Sequence, residues 1–253
     1  MFENTFKYIK NIINQRFNYI YKSIILNYKS WFLILLSFFV IDKNNLSCYA
    51  SFIIMLFVSH IAHYFYHIEF VYPVNVVHLY HHAHNNMFSH LIQILLEFNS
   101  LLYVIFFKYL VIFQYGINIL PFINDWTIVF FYFFYTTVHN INYSIFHVNH
   151  IHELHHKKIM YNIGPDISDI ILGTKFNPDV DLENTDHYIF NIIGSTILVL
   201  LLKFMFKSNP FLKYVFFIFY VMGMFLLIFY SVILFNIDFD NYIEKNLYTF
   251  KNS

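Results

Sequence analysis

Phe57-Val58-Ser59-His60-Ile61-Ala62-His63-Tyr64-Phe65-Tyr66-His67 closes an apolar run that opens at Leu46. The run has the length of a membrane helix, about 20 residues. A bilayer admits only helices and closed barrels, and this run is apolar throughout rather than alternating as a barrel strand does. On a helix, His63 and His67 stand at i and i+4 and share one face, so one metal ion can take both. The stretch therefore predicts a membrane helix with metal ligands at its end.

Further apolar runs flank it. Upstream, residues 19–41 form a first segment, interrupted by Lys22, Asn27 and Lys29, and Asp42-Lys43-Asn44-Asn45 reads as a turn. Downstream, residues 91–113 form a third segment. Gly116, Pro121 and Asn124-Asp125 then break the chain, and residues 126–138 form a fourth. A polar stretch, 140–187, precedes two more apolar segments, 189–206 and 211–235. The expected fold is all-α: an integral membrane bundle of about four to six helices, with a histidine-rich metal-binding cap on the cytosolic side. It forms one membrane domain over residues 1–253. Residues 1–50 hold the N-terminal segment and first helix, 51–187 the catalytic core, and 188–253 a helical hairpin and tail.

Composition agrees. Hydrophobic residues make up 58% of the 253 and charged residues 12%, against about 25% charged in soluble domains. Net charge is zero with histidine neutral, so no basic field points to nucleic acid. One cysteine, Cys48, excludes an intrachain disulfide and a cysteine-rich metal site. The fifteen histidines are clustered: eight lie between His60 and His90, and six between His139 and His156.

Two further boxes repeat one spacing. His78-Leu79-Tyr80-His81-His82 and His152-Glu153-Leu154-His155-His156 each place histidines at i, i+3 and i+4. With His63, His67 and His139 these give nine imidazoles, too many for one ion and suited to two. Imidazole takes iron, zinc, copper or nickel, while closed structural zinc sites usually include thiolate. Two redox-active ions at the end of a membrane bundle suit activation of dioxygen and attack on an aliphatic C–H bond. His60, His90, His147 and His187 read equally well as polar groups with ordinary partners. Glu97 and Glu153 are candidates for orienting ligand imidazoles. The contrasting reading is a non-catalytic histidine-rich membrane protein that binds or transports metal.

The two histidine clusters must lie on one side of the membrane to meet, which requires an even number of crossings between His82 and His139; the third and fourth segments supply two. Lys7, Lys10, Arg16, Lys22 and Lys29, with Lys157, Lys158 and Lys175, place that side in the cytosol. Lys203, Lys207 and Lys213 run against a simple closing hairpin.

In order and spacing, the three boxes resemble the fatty acid hydroxylase and sterol desaturase superfamily. Acyl-CoA desaturases carry similar boxes with the first two much further apart, whereas here only Val71-Tyr72-Pro73 and neighbours separate His67 from His78. The Tyr161-Asn162-Ile163-Gly164 turn, then Asp169, then Gly173-Thr174 match the family's downstream pattern, and His139-Asn140 its isolated upstream histidine. The resemblance covers residues 51–178. Tyr64 stands where the family usually has arginine, Ser168 where it usually has tryptophan, and Tyr143 where some members carry a further histidine. A tenth ligand would then come from His147 or His90. The resemblance implies a lipid hydroxylase or desaturase of the endoplasmic reticulum acting on a sterol, fatty acyl, sphingoid or ether lipid. It implies two iron ions, for which zinc can substitute in a structure, held by His63, His67, His78, His81, His82, His139, His152, His155 and His156. Asn162 and Asp169 would lie in the shell behind them. Electrons would come from NAD(P)H through a separate cytochrome b5 and reductase, since no His-Pro-Gly-Gly haem motif is present.

Overall fold

In a computed structural model of the protein, residues 2–251 are described apart from 69–73, 85 and 119, with side chains described between 10 and 234. Val71-Tyr72-Pro73 lies outside the described residues. The chain is helical and, among the described residues, has no strand. Among the described residues ten α-helices follow in order: α1 (Phe2–Leu26), α2 (Tyr28–Ile41), α3 (Asn45–Tyr66), α4 (Asn75–Ala83), α5 (Met87–Tyr115), α6 (Asp125–Thr137), α7 (His150–Lys157), α8 (Asp166–Leu172), α9 (Ile189–Ser208) and α10 (Leu212–Lys251). A π-helical turn, Val138–Tyr143, extends α6.

Among the described residues, four helices are long and apolar enough to cross a membrane: α3, α5, α9 with the turn before it, and α10 up to Leu234. The first apolar segment of the sequence reading, 19–41, is not one straight helix. It is broken at Asn27, where α1 and α2 meet at 75°. The cause is local and polar. Asn27 Nδ2 donates to the Glu183 carbonyl at 2.8 Å and its Oδ1 accepts from Thr185 N–H at 2.8 Å. Ser30 Oγ donates to the Thr185 carbonyl at 2.9 Å. The 183–185 loop thus docks into the bend and satisfies backbone groups that a continuous helix could not reach. Counting the bent pair as one span gives five.

The fourth apolar segment forms α6, whose 13 residues rise only about 20 Å, short of the ~30 Å hydrocarbon thickness. It is the axis of the bundle. Ile128, Phe130 and Phe131 are fully buried, and α6 packs against α3, α5 and α9. A helix apolar all round belongs in such a place. Phe38, Phe52, Phe130 and Phe131 meet there edge-on or tilted, with centroids 5.4–6.4 Å apart. The outer faces are apolar as well: Phe113, Phe190, Phe204 and Phe225 stand 69–90% exposed. A water-soluble monomer seldom exposes apolar surface on that scale.

Sequence signals fix both ends of the bundle. At one end Asn44 caps α3 through Ser47 N–H and Asn124 caps α6 through Thr127 N–H. Lys108 pairs with Asp125 at 2.8 Å, and Lys203 approaches Asp42 at 3.8 Å. At the other end, α3 finishes in its histidines, α4 and the start of α5 follow, α6 returns through its π turn, and α7 and α8 close over them. Asn86 and Ser89 form a reciprocal cap that restarts the chain as α5 immediately after the second box.

Candidate metal centre

Each histidine reaches the centre by helix geometry. His63 sits on the last turn of α3 and His67 is the residue just past its end, with His78, His81 and His82 on α4. His139 lies on the π turn after α6. His152, His155 and His156 lie on α7, which Asn149 starts by accepting from Ile151 N–H at 3.0 Å. Four elements remote in sequence thus point imidazoles at one volume.

The ring nitrogens fall into two groups. One holds His63, His67, His78, His82 and His155; the other holds His81, His139 and His152; in each, one ligand nitrogen per residue lies within 4.8 Å of all the others. His156 lies between them, its Nε2 at 2.9 Å from His152 Nε2 and its ring stacked on His82 at 4.2 Å. The nine histidines named from the sequence therefore converge. His90 lies near the second group, with its ring 5.6 Å from that of His81. His147 is about half exposed and lies 3.9 Å from Glu153, itself half exposed and not turned to the centre.

Four outer nitrogens are held by the protein, whereas Nδ1 of His67, His81 and His82 has no hydrogen-bond partner among the described residues. His78 Nδ1–H donates to Gln93 Oε1 at 3.1 Å, and His155 Nδ1–H to the Tyr161 carbonyl at 2.8 Å. His63 Nδ1 pairs with Tyr135 Oη at 3.2 Å. His139 Nδ1–H donates to Glu97, which also accepts from Asn140 Nδ2 at 2.9 Å and Gln93 Nε2 at 3.0 Å. Gln93 and Glu97, one turn apart on α5, thus tie a histidine of one group to a histidine of the other. Inner nitrogens are different. Among the described residues, Nε2 of His63, His81, His139 and His155 has no hydrogen-bond partner although it is buried. His78 Nε2 faces His67 Nε2 at 3.3 Å and His82 Nε2 at 3.0 Å. Lone pairs turned on one another are repulsive unless something positive lies between them. This donor set fits metal ions.

Protonation state fits too. Burial, reinforced by neighbouring imidazoles, holds His67, His78, His81, His82 and His152 well below the ordinary histidine value. Burial likewise lowers His155 to about 3 and His156 to about 4. The rings are neutral at pH 7, the form that ligates a metal.

Asn162 and Asp169 lie just outside the ring of histidines, and among the described residues neither side chain bonds to one of the nine. Asp169 Oδ1 accepts from Ile163 N–H, Gly164 N–H and Thr174 Oγ1, at 3.1, 3.1 and 2.7 Å, so it shapes the loop that carries the Tyr161 carbonyl. It also lies 3.5 Å from His60. Asn162 Oδ1 accepts from Phe176 N–H at 3.3 Å. His60 is buried against Ser168 and Thr174 and takes the ordinary structural role open to it. Gln93, Tyr135 and Glu183 were not singled out by the sequence, and Tyr143 only as a departure from the family pattern. Tyr143 stacks on His152 at 5.0 Å, and its hydroxyl reaches Tyr188 Oη at 2.5 Å and the buried Glu183. Only the i, i+4 spacing of Gln93 and Glu97 inside an apolar helix could have marked a polar face in advance.

Comparison with models of known families, with curated proteins and with solved structures finds no match.

Proposed function

We propose that the protein is a membrane-embedded, di-iron, dioxygen-dependent lipid hydroxylase or desaturase. The observation that carries this is the pair of buried imidazole groups whose inner nitrogens are turned on one another, with Nδ1 of His63, His78, His139 and His155 tied to the protein. Two iron ions held there would supply redox chemistry in which dioxygen takes up four electrons. Two of these come from the substrate C–H bond or bonds and two, with two protons, from NAD(P)H through a separate cytochrome b5 and reductase. One oxygen leaves as water; the other enters the substrate in hydroxylation, or leaves as a second water in desaturation.

The chain's own part is positioning. For His63, His78, His139 and His155 the Nδ1 partners fix which nitrogen the ring turns inward. Glu97 places one negative charge against His139, which compensates part of the charge of an otherwise all-imidazole set. The buried setting of the rings limits water there, and an apolar substrate would enter from the lipid. The histidine end faces the cytosol in this reading, in an endoplasmic reticulum membrane.

The test is oxidation of lipids by membranes containing the protein, supplied with iron, NADPH, reductase and cytochrome b5. Consumption of a sterol, acyl, sphingoid or ether lipid that is lost in His152→Ala is expected. No oxidation of any of these classes would overturn the enzyme reading in favour of a metal-binding or metal-transport protein.

A further inference from the structure

A cavity of about 100 Å³ lies against the histidine centre. His63, His139 and His152, drawn from both ligand groups, line one side. Trp31, Ile34, Phe52, Leu56 and Phe134 line another, from the α1–α2 joint, α3 and α6. Since an apolar cavity of about 150 Å³ takes one benzene ring, it has room for roughly four heavy atoms. That is one end of a lipid and not the whole of it.

The polar groups in the wall are mostly committed. Asn27, Ser30 and Thr185 bond to one another or to the backbone of the 183–185 loop. Glu183 accepts from Tyr143, Asn149 and Tyr188, and Asp166 is paired with Lys175 at 2.5 Å. Asn162 is the exception. It is 7% exposed, lines the cavity, and has a fixed amide orientation because Oδ1 takes the Phe176 N–H. Its Nδ2 has no partner among the described residues. A buried donor without an acceptor is costly and calls for one.

We propose that this cavity is the substrate-head site: it takes the oxygen-bearing end of a neutral lipid, with an acceptor oxygen on Asn162 Nδ2 and the carbon presented to the histidines only a few bonds away. This rests on the lipid-oxidation reading and narrows it. The donor selects an acceptor oxygen. Among the described residues the lining includes no lysine or arginine, and the nearby Lys175 is already paired with Asp166, so no free cationic side chain balances a carboxylate or phosphate head. The small volume restricts oxidation to carbons near the head, with the remaining tail outside the cavity.

Trp31 reports on the cavity, and Trp126 is the other tryptophan, packed on Phe206. Zinc-loaded Trp126→Phe protein in nanodiscs is titrated with 2-tridecanone, tridecane and tridecanoate while Trp31 emission is followed. The ketone should saturate the signal at a concentration roughly fivefold to tenfold below tridecane, as one hydrogen bond implies, and tridecanoate should not compete with it. Asn162→Asp keeps the Oδ1 acceptor and loses the donor; Asn162→Gly suits the residue's φ of +51°. Both should bring the ketone to the level of tridecane with zinc content unchanged. Equal ketone and tridecane binding in the Asn162 parent, unchanged ketone binding in both variants, or loss of zinc with ketone preference intact would each overturn the proposal. The assay involves no turnover. Ketone selectivity without any lipid oxidation sinks the enzyme reading, and oxidation without ketone selectivity sinks this inference alone.

Discussion

Glu97 is a carboxylate in the middle of an apolar helix, 4% exposed and bonded to His139, Asn140 and Gln93. A charge so placed persists only when it is paired or bound to a metal site. Glu97→Gln removes the charge and keeps the shape, so helix packing should survive while metal affinity falls about 10–100-fold, the usual effect of losing such a partner; competition against a chelator measures it. Gly164 makes a second residue-scale case. A Cβ there would lie 2.7 Å from Ser168 Oγ and 2.8 Å from His60 Nδ1, both on buried side chains. Gly164→Ala should therefore cost about 1–3 kcal/mol, the range for overpacking, read as a lowered melting temperature. The histidines themselves were legible in the sequence, because i, i+3, i+4 spacing states its own geometry. Their partners were not. Gln93 and the Tyr161 carbonyl acquire a role only when α5 and the loop after α7 come beside the centre, and no local pattern records that approach.

At the scale of elements, α4 and α7 carry six of the nine histidines and bury them without charge. Their folded pKa values lie below the unfolded value of about 6.5, so they contribute stability above that pH and lose it as pH falls. The window runs from about 6.5 toward the values near 3 and 4 of His155 and His156. Asp169 and Glu183 act oppositely: burial raises each to about 7, so their contribution is full at low pH and is lost as pH rises to 7. Seven lowered histidines outside the candidate spans outweigh two raised acids. Metal-free protein should therefore melt at progressively lower temperature between pH 7 and pH 4, and His156→Gln should flatten that slope. A flat or reversed profile contradicts neutral burial of α4 and α7. The α1–α2 break shows where element reading stops. Hydropathy draws residues 19–41 as one interrupted segment, and only the bonds from Asn27 to the 183–185 loop turn the interruption into a 75° bend.

Across the whole molecule, the parity of crossings was legible because two histidine clusters can share a centre only from one side. The structure brings both clusters to one end of the bundle through α5 and the return of α6 with its π turn, although of these two only α5 is long and apolar enough to cross a membrane. Labelling of single cysteines in a Cys48→Ser background should find positions 43 and 117 on one side of the membrane, and 10 and 158 on the other. Labelling of 43 and 158 from the same side would contradict the arrangement. The metal itself was not legible, since imidazole groups of this kind accept several ions. The central claim is that two ions share one histidine centre, and metal stoichiometry tests it most directly. Protein purified after anaerobic iron loading and exhaustive chelator washing should retain two iron ions per chain, and His81→Ala or His78→Ala should lower the retained iron. Retention of one ion or none by the unmodified chain, or full retention by both variants, would contradict the account.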